Sequence, residues 1–148
     1  MQRFVLEHRV AQPPAAVYPV FGDASFVEAL APPSAGLEVL QIGLGLGAEI
    51  RVRFRGLGPR GRDWVSRIEE LDESGATIWF VDHAVQIPWP FATFRHRHGF
   101  VAENGGTLLV DDVAFTTRPA LVGPLVRLIL RHQFAYRGRI YRERFGTR

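Results

Sequence analysis

The chain has 148 residues, no cysteine and, among its 18 basic side chains, no lysine, against 15 acidic ones. Disulfides, thiolate metal sites, cysteine nucleophiles and Schiff-base lysines are excluded, and the length suits one domain, residues 1–148, with its own core. The net charge of +3 comes from arginines dispersed among Glu49, Glu69, Glu70, Asp72 and Glu73, a pattern of solvated surface that predicts no nucleic-acid partner.

No apolar run is long enough to span a bilayer, and Met1-Gln2-Arg3 leads straight into an alternating segment without a signal-peptide pattern, so a cytoplasmic protein with no integral membrane segment is expected. Phe4 to Val10 alternates as a strand. Gln12-Pro13-Pro14 opens a short helix through Val17, Val20 and Phe21, with Pro19 placed to kink or shorten it, and Ser25 to Leu30 fits a second short helix. Strands are then predicted over Leu37 to Ile42, Ala48 to Phe54, Trp64 to Ile68 and Ile78 to Val85, separated by turns at Gly43–Gly47, Gly56–Gly61 and Asp72–Gly75. The run Gly43-Leu44-Gly45-Leu46-Gly47 is a strand connection and not a phosphate loop, because a strand follows it where a helix N-terminus would be needed. For Ile78 to Val85 the inward face stays open. Counting from the preceding turn selects Thr77, Trp79, Val81 and His83, whereas a single bulge selects Phe80 and Asp82.

Pro88-Trp89-Pro90-Phe91 is a rigid connection into a hairpin, Phe94 to Ala102 and Thr107 to Thr117, turning at Asn104-Gly105. Phe94, His96, His98 and Phe100 share one face of its first strand, and Thr107, Leu109, Asp111, Val113 and Phe115 share the same face of its second. A two-residue turn sets His98 opposite Asp111 and His96 opposite Val113. A carboxylate beside an imidazole supplies either a hydrogen-bonded scaffold pair or an acid/base dyad, so His98 and Asp111 are the candidate catalytic residues, with the scaffold role favoured. His96 and His98 with His83 or Asp82 could also meet a metal, but neither a third ligand nor a ligand motif is fixed, and neither metal nor cofactor is predicted. No Gly-x-Ser-x-Gly elbow is present.

After Pro119 the period changes. Leu121, Val122, Leu125, Val126, Leu128, Ile129 and Leu130 recur at three- and four-residue spacing, and the pattern runs on through Gln133, Phe134, Tyr136, Ile140 and Tyr141 to Phe145. One long helix is predicted, gripped by a curved sheet, with its arginine-rich second half the wetter one.

This order of elements, with Phe80-Val81-Asp82, Phe94 through Phe100, Asp111 through Phe115, Pro119 and Phe134-Ala135-Tyr136-Arg137, resembles the SRPBCC superfamily over essentially the whole chain. That is the START, pollen-allergen and polyketide-cyclase group of helix-grip proteins, and the likeness is strongest to bacterial ligand-binding members. The resemblance implies an α+β helix-grip fold: a seven-stranded curved antiparallel sheet wrapped round a long C-terminal helix, with two short helices after the first strand. It also implies an internal cavity for a lipid, polyketide, quinone or similar small hydrophobic molecule. Relatives often carry Gly-Pro-Phe where this chain has Trp89-Pro90-Phe91, so Trp89 is expected to narrow or cap the cavity mouth.

The expected lining is Trp64, Ser66, Trp79, Phe94, His96, His98, Phe100, Asp111 and Phe115 on the sheet side, and Leu125, Ile129 and Gln133 on the helix side. Binding is the leading expectation. The alternatives are a cyclase or dehydratase using a cavity His/Asp pair, and a protein-interaction module whose cavity is closed. A monomer or homodimer is expected.

Overall fold

The computed structural model describes residues 1–57 and 62–148. It begins with strand β1 (Gln2–Val10), followed by the short helices α1 (Pro14–Val17) and α2 (Ala24–Ala29). Six strands come next: β2 (Leu37–Gln41), β3 (Glu49–Phe54), β4 (Arg62–Asp72), β5 (Ile78–Gln86), β6 (Phe91–Glu103) and β7 (Gly106–Thr117). Helices α3 (Gly123–Ala135) and α4 (Arg137–Phe145) end the chain. The strands form one curved antiparallel sheet in the order β1-β7-β6-β5-β4-β3-β2, so the α1–α2 region carries the chain from one edge to the other. Of the turn expected at Gly56–Gly61, Gly56 and Leu57 fall in a short 3-10 turn, and residues 58–61 lie outside the described residues.

Local chemistry accounts for most of these boundaries. Pro14 sits in the first turn of α1, where its missing N–H costs nothing, and by Pro19 the helix has tightened into a 3-10 turn, Tyr18–Gly22. The Asp23 carboxylate caps α2 by accepting from the backbone N–H groups of Ser25 and Phe26. Asn104 and Gly105 both have positive φ, 49° and 80°, the combination of a type I′ turn. Glu103 therefore pairs with Gly106, and the ladder runs back to His98 opposite Asp111 and His96 opposite Val113, as predicted.

The open question in β5 is settled in its neighbour. The β4–β5 ladder passes over Glu69, between the pairs Ile68–Asp82 and Glu70–Val81. This bulge reverses the parity, so counting from the Asp72–Gly75 turn reaches the wrong face. Phe80 and Asp82 point inward, opposite His98 and His96. Trp79 faces outward, under the Arg97 guanidinium at 4.5 Å, which corrects its expected place in the lining.

The expected long C-terminal helix is present, in two segments. It breaks at Tyr136, where the Tyr136 N–H bonds the Gln133 carbonyl (3.2 Å) and the Arg139 N–H bonds the Tyr136 carbonyl (3.3 Å), both three residues back. Beyond the break, Gly138 lies directly against His8 of β1: a Cβ there would stand 2.6 Å from His8 Cε1 and Nδ1. Two apolar clusters fill the concave side. One gathers Phe21, Phe26, Phe80, Phe100, Tyr141 and Phe145, and the other Phe4, Phe94, Val113 and Phe115 with Phe134 against them.

In an exposed helix a glycine-to-alanine change stabilises by up to about 1 kcal/mol. Gly138→Ala is expected to do the reverse, destabilising by about 1–3 kcal/mol because the His8 ring is wedged in place. Thermal melting measures this, and His8→Ala in the same chain should recover part of the loss. A neutral or raised melting temperature for Gly138→Ala alone would contradict the close approach.

Candidate functional site

The inner faces of β5, β6 and β7 share a polar middle between apolar ends. β6 presents Phe94, His96, His98 and Phe100, β7 presents Leu109, Asp111, Val113 and Phe115, and β5 contributes Phe80 and Asp82. Asp111 lies straight across from His98, yet it bonds the diagonal neighbour: His96 Nε2 is 2.8 Å from Asp111 Oδ1. Asp82, straight across from His96, likewise bonds the diagonal His98, with Nε2 to Oδ2 at 2.8 Å. The twist of the sheet brings one diagonal of each quartet within side-chain reach. Because the pairings cross, the imidazoles lie face to face with centroids 3.6 Å apart, and Phe80 stacks on the far side of His98 at 4.2 Å.

The network continues at both ends. Trp64 Nε1 donates to Ser66 Oγ (3.1 Å), and the Ser66 hydroxyl donates to Asp82. From the helices, Arg137 Nη1 donates to Asp111 Oδ1 (3.2 Å), and the Tyr141 hydroxyl to Asp111 Oδ2 (3.4 Å). Arg137 also lies over the Phe134 ring at 4.1 Å.

Burial and the nearby charges set the protonation states. For Asp111, burial pushes the carboxyl up, but the Arg137 charge and the His96 hydrogen bond together outweigh it and hold the group well below the usual carboxylate range. Asp82 is held low against its own burial, chiefly by its hydrogen bond from His98. His96 is pushed down to about 4 by burial and by the neighbouring His98, against the pull of Asp111. The His96 ring is therefore neutral at neutral pH, and Asp111 is kept ionised by the guanidinium. Burial and then the Asp111 charge raise the Tyr141 hydroxyl, which stays a donor. With both carboxylates accepting at Nε2, the neutral tautomer of either histidine leaves Nδ1 as an acceptor.

A cavity of about 190 Å³ opens beside this network. Phe21, Leu44, Ile50, Val52, Phe54, Trp64, Phe80 and Phe94 wall it on the sheet and short-helix side, and Leu130, Gln133, Phe134 and Arg137 on the α3–α4 side. Ser66, Asp82, His96 and His98 form its polar end. Gln133 is exposed and also lines the cavity, so it marks the mouth, and the interior is not sealed.

Solved structures share this fold. An aromatase/cyclase, Zhui, from Streptomyces sp. R1128 matches with a TM-score of 0.66 and 18% identity, over 95% of this chain and 94% of its own. TTHA0849 from Thermus thermophilus matches with a TM-score of 0.69 and 18% identity, over 97% of each chain. Ara h 8.0201 matches with a TM-score of 0.59 and 19% identity, over 94% of this chain and 97% of its own. The shared fold is the α+β helix grip: a curved seven-stranded antiparallel sheet round a C-terminal helix. No family model and no curated protein matches the chain, and identities this low establish the fold alone.

Within the helix-grip domain the expected lining residues divide. Trp64, Ser66, Phe94, His96, His98 and Gln133 line the cavity. Phe100 and Phe115 are buried in the two apolar clusters, and Asp111 lies behind His96, away from the cavity surface. Leu125 and Ile129 point to solvent, 62% and 50% exposed, and Leu130 and Phe134 take their place. The first half of α3 is apolar over more than one face, and packing against β1 and β7 buries the other one. Trp89, 77% exposed, does not cap the mouth.

Sequence reasoning misses Arg137 and Tyr141 as site residues: Arg137 belongs to the arginine-rich wetter half, and Tyr141 is one position of the apolar pattern. The signal was present in the spacing of Phe134, Arg137 and Tyr141, which at three and four residues share one helical face. Asp82, His96 and His98 also offer ligand atoms within 4.8 Å of one another. Both Nε2 atoms are committed to carboxylates and the rings stack instead of converging, so this geometry is that of a hydrogen-bonded network.

Below pH 6.5 the unfolded chain binds a proton at His96 that the folded protein refuses until about pH 4. Stability should fall as pH drops through that window, by on the order of 3 kcal/mol for this group. The depressed carboxyls act in the same direction at lower pH, losing their contribution as pH falls through their folded values. NMR titration should find His96 neutral down to about pH 4, and His96→Gln should flatten the pH dependence of melting between those limits. A His96 midpoint near its ordinary 6.5 would contradict this burial and pairing.

Proposed function

We propose that this helix-grip domain binds a small, compact, largely apolar molecule in the cavity, with its one polar group set against His98 and Ser66. The observation that carries the reading is a cavity walled by aromatic and aliphatic side chains and closed at one end by polar groups that are already hydrogen-bonded. Such a wall favours burial of apolar surface at roughly 25 cal/mol per Å². The polar end fixes orientation through a hydrogen bond to the ligand's polar group. At about 190 Å³ the enclosed space sits just above the roughly 150 Å³ that accommodates benzene and below the roughly 300 Å³ where drug-sized pockets begin. A one- or two-ring compound, or a short chain with its end outside the mouth, fits this space better than a sterol or a long-chain lipid. The aromatase/cyclase among the structural neighbours supports an aromatic ligand at the level of fold.

An acid/base role for His98 is the second reading, and one observation favours it. Asp82 orients the ring through Nε2, which leaves Nδ1 for a molecule in the cavity.

Native mass spectrometry of protein purified from its own host, with titration of an environment-sensitive apolar fluorophore, tests both readings. Binding predicts one saturable site and a co-purifying small molecule. Val52→Phe, which fills the cavity from its wall, should weaken the probe by roughly tenfold or more while the fold is retained. Failure of every apolar probe to bind, with nothing co-purifying, would sink the binding reading. His98→Ala separates the second reading from the first: an enzyme retains a molecule of different mass when this base is removed, whereas a binder holds the same molecule more weakly.

A further inference from the structure

The outer face of α3 has no partner within the chain. Leu121, Leu125, Leu128 and Ile129 are 89%, 62%, 63% and 50% exposed. The last three, spaced at three and four residues, form one stripe along the helix, and Leu121 extends it at the N-terminal end. Trp89 sits beside this end, because the Arg118 N–H bonds the carbonyl of Pro90 (2.8 Å) and Leu121 follows three residues later. The segment that carries the stripe is basic: from Val113 to Ala135 the chain has Arg118, Arg127 and Arg131 and no aspartate or glutamate. Arg118, Arg131 and His132, at the edge and end of the stripe, are exposed, and no carboxylate pairs with them among the described residues.

We propose that this face is a docking surface for an anionic lipid bilayer. Exposed leucines, a tryptophan at one end and arginines at the margins are what an interfacial helix requires: apolar side chains enter the headgroup boundary while cations meet lipid phosphates. α3 has 13 residues and is about 20 Å long, short of the roughly 30 Å hydrocarbon core, so it lies in the plane of the surface. Charge argues against a second copy as the occupant. Apposing the same face of two chains would bring Arg118, Arg131 and His132 of each together with no acid to answer them. Gln133, at the cavity mouth, follows one turn after Ile129, so docking here places the mouth beside the membrane.

Flotation of the intact protein with vesicles tests this independently of any cavity ligand. Vesicles of mixed phosphatidylglycerol and phosphatidylcholine should carry the protein upward and shift its tryptophan emission to the blue, whereas pure phosphatidylcholine should do so far less. The shift should vanish in Trp89→Phe. Leu125→Gln with Leu128→Gln should weaken binding by roughly tenfold or more at an unchanged melting temperature, since both side chains start exposed. Arg118→Gln with Arg131→Gln should abolish the preference for anionic lipid. The proposal is overturned if the wild type does not float with anionic vesicles, or if the leucine double variant floats equally well. It is also overturned if sedimentation shows a wild-type dimer that the double variant dissolves, because the face would then join two copies.

Discussion

The concave side of this sheet carries two buried carboxylates, and the rest of the interior is arranged to answer them. An ionised aspartate removed from water costs several kcal/mol unless opposite charge and hydrogen bonds meet it. Asp111 is met from three directions, by His96, by Arg137 and by Tyr141. Two of these partners come from the α3–α4 region and one from the sheet, so the carboxylate holds the helices in register with the strands as well as being stabilised by them. Asp82 is met by His98 and Ser66. Because each aspartate bonds the diagonal histidine, the two pairs are not independent: the stacked imidazoles make them one unit across three strands.

This polar belt explains why the core is divided. Apolar clusters fill both ends of the concave face, and the belt between them offers no apolar surface for a large side chain to pack upon. Beside the belt lies the cavity, bounded by satisfied polar groups on one side and by aromatic rings on the others. The break at Tyr136 belongs to the same design. Just past it, Arg137 bonds Asp111 and Gly138 lies against His8. The cavity is the space that the charge network and the helix leave unfilled, and the exposed leucines of α3 lie outside it.

Much of this was legible in the residues because it depends on short-range rules. Alternation of period two marked the strands, the Asn104-Gly105 turn set the β6–β7 register, and that register placed both histidines and Asp111 inward. The change to a period near 3.6 after Pro119 marked the helical end. These inferences hold because backbone sterics and hairpin geometry reach only a few residues along the chain.

What failed to show involved pieces far apart in sequence. The bulge at Glu69 turned Asp82 inward and Trp79 outward, and nothing near either residue announces it. Straight-across pairing named Asp111 as the partner of His98, whereas Asp111 bonds His96 and His98 bonds Asp82, because sheet twist, a property of the assembled strands, decides which diagonal closes. The leucine-rich first half of α3 is apolar over more than one face, so periodicity chose Leu125 and Ile129 where packing chose Leu130 and Phe134. Arg137 read as part of a wet helix end until the fold set Asp111 beside it. The sequence by itself determined the elements, their order and the hairpin register, all through local sterics and periodicity. Only the tertiary structure decided which side chains meet, because burial and charge pairing depend on surfaces that do not exist until the sheet has closed round the helix.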